Sequence, residues 1–394
     1  MRTICQSPKD PGFVQNPYDF YDRARALGPM VYWQDYDLVV ATSHAANSAI
    51  LRDRRFGREV PPSRATPVPP HLAPFYQVEA HSMLELEPPR HTRLRGLVLR
   101  AFTSRRIQAL APEIAVLSHQ LIDALPPGRF DLLPHVAQKL PVIIIARLLG
   151  VPEGMAPDLL QWSNAMVQMY VRGRSREVED QAITATRAFT DFLHCYIAER
   201  RSHPADDLIT HLIAAEEAGE KLTTDELIST CILLLNAGHE ATVHTIGNGV
   251  KALLESGADP LWLAPDRVDD TIEEILRHDP PLHLFTRWVY EAVEVMGHRF
   301  QPGTQVGCLL AAAGRDPDSY ADPHRFDPAR PQKPHLAFGA GLHFCVGAPL
   351  ARLELQVALP ILFARLPRLR LAAPPTYRDI YHFHGLDQLW LTPN

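Results

Sequence analysis

Between about residues 90 and 280, apolar and charged residues alternate at helical spacing. This predicts helices around 91–123, 155–171, 176–200 and 205–217. Short β-like runs stand at Met30–Trp33, Leu38–Ala41, Val293–Val295 and 306–310. The longest helix candidate opens at Thr223, which has capping-box spacing to Glu226, and has room to run to Ser256 before Gly257, roughly 50 Å at about 1.5 Å per residue. Its first half, 227–237, is apolar nearly all round, as a helix buried inside a domain must be. A helix so long and so buried crosses the molecule, which favours one large domain over 1–394 rather than several small ones. The pattern gives a mainly α chain with small β-sheets (α+β). A β-containing N-terminal part spans about 10–60, and a helical core spans about 90–280.

Composition narrows the class further. The 394 residues are 46% hydrophobic and 21% charged, ordinary globular values, so disorder and coiled coil are excluded. Acidic residues exceed basic ones, 45 to 39, so no bulk positive charge points to nucleic acid. Proline is over-represented, with 36 in the chain, and six of them make 61–74 a stiff surface loop. The N-terminus has no apolar signal-peptide core, and the one long uncharged stretch, 334–351, contains prolines, glycines and histidines unfit for a membrane. The chain is expected to be soluble, intracellular and cytoplasmic, without membrane or nucleic-acid partners. Cys5, Cys195, Cys231, Cys308 and Cys345 are odd in number, scattered, and form no C-x-x-C pair, so they suggest neither a disulfide framework nor structural zinc. Four of them are expected to be small core residues.

Cys345 differs. It stands in Phe338-Gly339-Ala340-Gly341-Leu342-His343-Phe344-Cys345-Val346-Gly347, just before a strong helical run from Ala348. Glycines permit tight turns there, and a thiol facing helix N-terminal N–H groups is expected to have a lowered pKa. A lone thiolate in such a loop suits a nucleophile or an axial metal ligand.

The 338–347 pattern, F-G-x-G-x-H-x-C-x-G, resembles the haem-ligand loop of the cytochromes P-450, the haem-thiolate monooxygenases. Other segments resemble that family in the same order. Glu274-Ile275-Leu276-Arg277 is similar to its E-x-x-R element, on a helix read as beginning at Thr271, and Arg325 matches the arginine that completes the family's structural triad. Ala237-Gly238-His239-Glu240-Ala241-Thr242 resembles the oxygen-activating motif of the long helix. His91 and Arg95, four apart on one helix face, match haem-propionate contacts, as do Arg287 and His343. The likeness covers about residue 10 to the C-terminus and is strongest over 223–365.

The resemblance implies a triangular, helix-rich domain with a long central helix and a buried haem b (iron protoporphyrin IX). Cys345 would be the iron ligand. Ala237, Gly238, Phe338, Gly339 and Gly347 would line the cofactor, Gly238 by letting it and O₂ approach the backbone. Glu240 would relay protons. The family usually places threonine after this acid; here Ala241 stands there, and Thr242 is turned about 100° away. Some relatives with this alanine are thought to recruit water or a substrate hydroxyl instead. The implied substrate is a small, mostly apolar organic molecule near Leu84, His239, His283 and Phe285, from the 61–85 loop, the 158–175 region, the long helix and the segment after E-x-x-R. Its oxidation would be hydroxylation, epoxidation or coupling. No flavin or Fe–S motif is present, so electrons would come from a ferredoxin and its NAD(P)H-dependent reductase. Arg100, Arg105, Arg106 and Arg352 would give that partner a basic patch on a monomer. Two rivals stand beside this reading. One is a haem-thiolate protein that uses peroxide or acts as a sensor. The other is a zinc hydrolase read from His239-Glu240-x-x-x-His244, which the roughly 140° between the two histidines disfavours.

Overall fold

The computed structural model describes residues 1–171, 173–217, 222–257, 259–331, 334–381 and 383–393. Helix dominates. The long helix runs Thr224–Glu255 on a complete capping box, Thr223 accepting from Glu226 N–H and Glu226 reaching back to Thr223 N–H. It packs against helices Lys139–Leu149, Ala156–Val167, Val268–His278 and Ala348–Arg365 and so runs through the main hydrophobic core. The expected 91–123 stretch is three helices, Arg90–Ala101, Ser104–Gln108 and Ala111–Asp123. Thr103 caps the second, and Pro112 lies in the first turn of the third. The remaining stretches appear as Ala156–Val167, Arg176–Ser202 and Leu208–Glu217.

Among the described residues the principal sheet has six strands, in the order Arg2–Ile4, Met30–Trp33, Leu38–Ala41, Gln305–Leu309, Leu284–Val289, Phe56–Gly57. Leu38–Ala41 and Gln305–Leu309 pair in parallel, and Leu284–Val289 runs antiparallel to the latter with Arg287 opposite Val306. That register carries Arg287 on a strand held from both sides. Cys231 and Cys308 are core residues, but Cys5 and Cys195 are exposed, which corrects the expectation for those two. The E-x-x-R helix starts at Val268, not Thr271, whose hydroxyl instead bonds the carbonyls of Trp262 and Arg267.

Candidate active site

Two left-handed glycines shape the thiolate loop: Gly339 at φ 69° and Gly341 at φ 70°. A side chain at Gly341 would also press on the backbone of Leu51 and Arg52. Cys345 N–H bonds the Phe338 carbonyl at 3.0 Å, closing the loop, and helix Ala348–Arg365 follows at once. Cys345 is accessible, yet protein encloses it so closely that burial is the largest influence on its thiol. Burial pushes the thiol up, and the N–H groups of Gly347 and Ala348, with Arg95 and Arg352, offset only part of this. The expected net lowering is therefore not found for the free thiol, and a bound metal cation would supply a counter-charge that favours the thiolate.

Four cationic or imidazole groups converge near the loop from three segments. Arg95 donates to the Phe344 carbonyl at 2.7 Å, tying helix Arg90–Ala101 to the thiolate loop. His91 and His343 lie with ring centroids 4.4 Å apart. Burial, then His343 and Arg95, hold His91 down at about 4, and its Nδ1 is buried without a partner. Arg287 is 4% exposed, donates only to the Thr286 carbonyl, and forms no ion pair among the described residues. Burial and neighbouring Arg58 pull it down to about 10. A buried guanidinium without a carboxylate is costly, so this set fits the two carboxylates of a haem. Glu87, which the sequence reading missed, accepts from His343 Nε2 at 2.9 Å and from Arg58 N–H at 2.6 Å. Burial favours its neutral form, but His343 and Arg58 hold the carboxyl low.

The long helix carries one less-buried stripe: Ala237 is exposed, and Leu233 and Ala241, one turn to either side, are partly exposed, although most of the helix is buried. The small side chains on that stripe leave room for a flat group. Gly238 serves another purpose. A Cβ there would meet Ile145 Cγ1 at 3.3 Å, so the glycine admits a neighbouring helix. Thr242 is 4% exposed and gives its hydroxyl to the Gly238 carbonyl at 3.2 Å. Glu240 lies between two histidines, His244 Nε2 at 3.2 Å and His239 Nε2 at 3.4 Å, with Arg378 at 3.9 Å. Burial would raise the Glu240 carboxyl, but the His244 hydrogen bond and the charges of His244, His239 and Arg378 outweigh it and hold it at about 2. His244 and Arg378 were not legible as its partners, because Arg378 arrives from the C-terminal segment.

Three site expectations need correction. Arg277 forms a fork on Glu274 at 2.6 and 2.7 Å, as E-x-x-R predicts. The third arginine, however, is Arg330, whose Nε is 3.5 Å from Glu274. Arg325 is exposed and contributes only its backbone carbonyl, to Arg277 at 3.1 Å and to Arg330 at 2.9 Å. His239 is buried, held at Nδ1 by the Leu235 carbonyl at 3.1 Å and near Ser163 Oγ at 3.3 Å, so it is a packed residue and not a pocket wall. His283 is fully buried and bonded to Tyr21, again away from any cleft. Leu84 and Phe285 are partly exposed. Arg58 links them, bonding the Leu84 carbonyl at 3.3 Å and lying 5.5 Å from the centre of the Phe285 ring. In the 158–175 region, residue 172 lies outside the described residues. Of the expected basic patch, Arg352 is paired with Glu273 and Arg106 with Asp206, while Arg100 and Arg105 are exposed. Among the described residues no helix is long and apolar enough to cross a membrane.

Comparison with known proteins identifies the family. The Cytochrome P450 family model matches residues 267–371. The chain is 39% identical to cytochrome P450 monooxygenase PikC of Streptomyces venezuelae over 92% of this chain and 87% of that protein. It is 36% identical to the biotin biosynthesis cytochrome P450 of Bacillus subtilis, over 99% of both chains. Its fold matches the crystal structure of P450BioI in complex with hexadec-9Z-enoic acid ligated acyl carrier protein. The TM-score is 0.91 at 35% identity, covering 97% of this chain and 99% of that one. Identity of this extent along nearly the whole length, with the same fold, means that the chain belongs to the cytochrome P450 family and is a haem-thiolate oxidoreductase of the monooxygenase type.

Proposed function

We propose that this chain, as a single-domain monomer in the cytoplasm, inserts one oxygen atom of O₂ into a small, mostly apolar organic substrate. Its electrons come from a ferredoxin and an NAD(P)H-dependent ferredoxin reductase. The observation that carries the reading is Cys345 beside His91, Arg95, Arg287 and His343, a set of imidazole and guanidinium groups in which the buried Arg287 has no ion pair among the described residues. Haem b fits that set: Cys345 would bind the iron and the four cationic or imidazole groups the propionates. When bound, it supplies O₂ activation, and thiolate electron donation favours O–O cleavage.

The chain's own residues do the rest. Arg277 and Glu274, with Arg330, hold the segment leading to the thiolate loop. Ala237 and Ala241 form an apolar wall that keeps water out. Glu240, held ionised by His244, His239 and Arg378, positions and polarises the proton donor, through its His244 hydrogen bond, rather than storing the proton itself. It works without an alcohol partner, since Ala241 has no hydroxyl and Thr242 spends its own on Gly238. PikC is by name a monooxygenase, which supports O₂ over peroxide or a sensor role. The fatty acyl chain in the P450BioI complex supports an apolar substrate.

The test is coupling of NAD(P)H consumption to product, with a substrate found by spin-state shift. Glu240→Gln should lower coupling by about tenfold or more, given the usual worth of a positioned proton relay, and Thr242→Ala should leave it unchanged. Unchanged coupling in Glu240→Gln, or full turnover of the wild type on peroxide alone, would overturn the proposal.

A further inference from the structure

On the far side of the E-x-x-R helix three metal-ligating side chains meet in full burial: Asp279 just past the helix end, His283 at the entry to strand Leu284–Val289, and His384 from the C-terminal segment. Their donor atoms all lie within 4.8 Å of one another. His384 Nε2 is 3.5 Å and His283 Nε2 is 3.9 Å from the same oxygen, Asp279 Oδ1. Tetrahedral ligands about 2.1 Å from a zinc ion stand roughly 3.4 Å apart, so only small adjustments separate this triangle from a coordination face. His283 is 0% exposed, and its Nε2, aimed at that triangle, has no hydrogen-bond partner. A buried ring nitrogen left so is a cost that a ligand would remove.

The surroundings are those of a supported metal site. Ligating histidines typically bond their other nitrogen to an outer group, and His283 Nδ1 meets the Tyr21 hydroxyl at 2.8 Å. The carboxylate is steadied from both sides, Oδ1 by Tyr18 at 2.5 Å and Oδ2 by Tyr377 at 2.6 Å. His384 stacks on the Tyr377 ring at 3.8 Å, and Asn248 of the long helix bonds the carbonyls of both Asp279 and His384. Two cations lie farther out. Arg315 covers the Tyr18 ring, and Lys251 lies over Tyr377 while paired with Glu255 at 2.8 Å.

We propose that Asp279, His283 and His384 bind one divalent transition metal of the zinc class, separate from the haem iron. Two neutral imidazoles and one carboxylate are a borderline-soft N/O set that suits zinc better than calcium or magnesium. The ion's role is structural: it staples the C-terminal segment to the end of the E-x-x-R helix and to the strand that carries Arg287.

The experiment uses haem-loaded protein expressed in zinc-supplemented medium and dialysed against a chelator. First-row metals are measured by atomic emission, and the zinc edge is read by X-ray absorption, which iron does not obscure. The expected result is about one zinc per chain with nitrogen and oxygen neighbours at about 2.0–2.1 Å, falling at least fivefold in His384→Gln while the haem spectrum is retained. Wild-type protein with no second metal would overturn the proposal, as would equal zinc in wild type and variant. If His384→Gln does not fold, the wild-type absorption spectrum decides alone. Sulfur neighbours there would assign the zinc to cysteines and overturn the proposal, whereas two nitrogens with oxygen would support it.

Discussion

Arg330 and Arg325 are five residues apart in one loop, and the structure gives them opposite roles. Arg330→Ala removes the 3.5 Å contact to Glu274 and three bonds to the carbonyls of Ala321, Asp322 and Arg325. The carboxylate of Glu274 keeps Arg277 and the Asp327 N–H at 2.7 Å, so it is not stranded. Charge-assisted bonds contribute about 1.5–3 kcal/mol each when buried. With the long ion contact and partial rescue of the carbonyls by water, the loss should be about 3 kcal/mol. At about 2.1 cal/mol/K per residue, 394 residues give an unfolding entropy of about 0.8 kcal/mol/K, so Tm should fall by about 4 °C. Arg325→Ala keeps its carbonyl and loses an exposed side chain with no ion pair among the described residues, so its cost should stay within about 0.5 kcal/mol, less than 1 °C. Calorimetry on haem-loaded protein, with haem content read alongside, measures both. A fall in Tm for Arg325→Ala equal to that for Arg330→Ala would refute the reasoning.

Two further variants probe the proximal side. Glu354 is 1% exposed in helix Ala348–Arg365, and burial pushes its carboxyl well above the usual range. A carboxyl raised on folding contributes stability that is full below the ordinary carboxylate pKa and is lost as pH climbs toward the folded value. Glu354→Met should therefore raise Tm, and the gain should grow between pH 5 and pH 8; parallel melting curves would contradict this. Gly341→Ala sets a methyl against the Leu51 and Arg52 backbone at a left-handed φ of 70°. It should cost at least the roughly 1–2 kcal/mol of a left-handed residue and reduce haem incorporation, so wild-type haem content and Tm would argue against this account of the loop.

Much of this molecule was readable before folding. Thr223 and Glu226 marked the start of the long helix because a capping box is a local device. Met30–Trp33, Leu38–Ala41 and Val293–Val295 emerged as strands because their β-rich runs are bounded by turns. Two-residue strands such as Phe56–Gly57 and Phe130–Asp131 carry no period, and only their partners create them. Site residues divided in the same way. Cys345, His91, Arg95, Glu274 and Arg277 lie in short motifs whose spacing fixes a shared face or loop. Arg325 was chosen over Arg330 because one-dimensional spacing does not say which side chain turns inward and which offers its carbonyl. His283 was expected at a cleft because it shares the alternating register of Phe285 and Arg287. In fact the chain presents His283 to Tyr21 and Asp279 before the strand begins. The Glu240–His244–Arg378 grouping joins segments more than 130 residues apart, which only tertiary packing brings together.

The central claim is that Cys345 holds a haem iron. The most direct measurement is the absorption spectrum of the reduced, CO-treated protein beside Cys345→Ala. The account predicts a strongly red-shifted Soret band in the wild type that disappears in the variant. A wild-type protein with no haem band, or one whose band is the same without the Cys345 thiol, would contradict it.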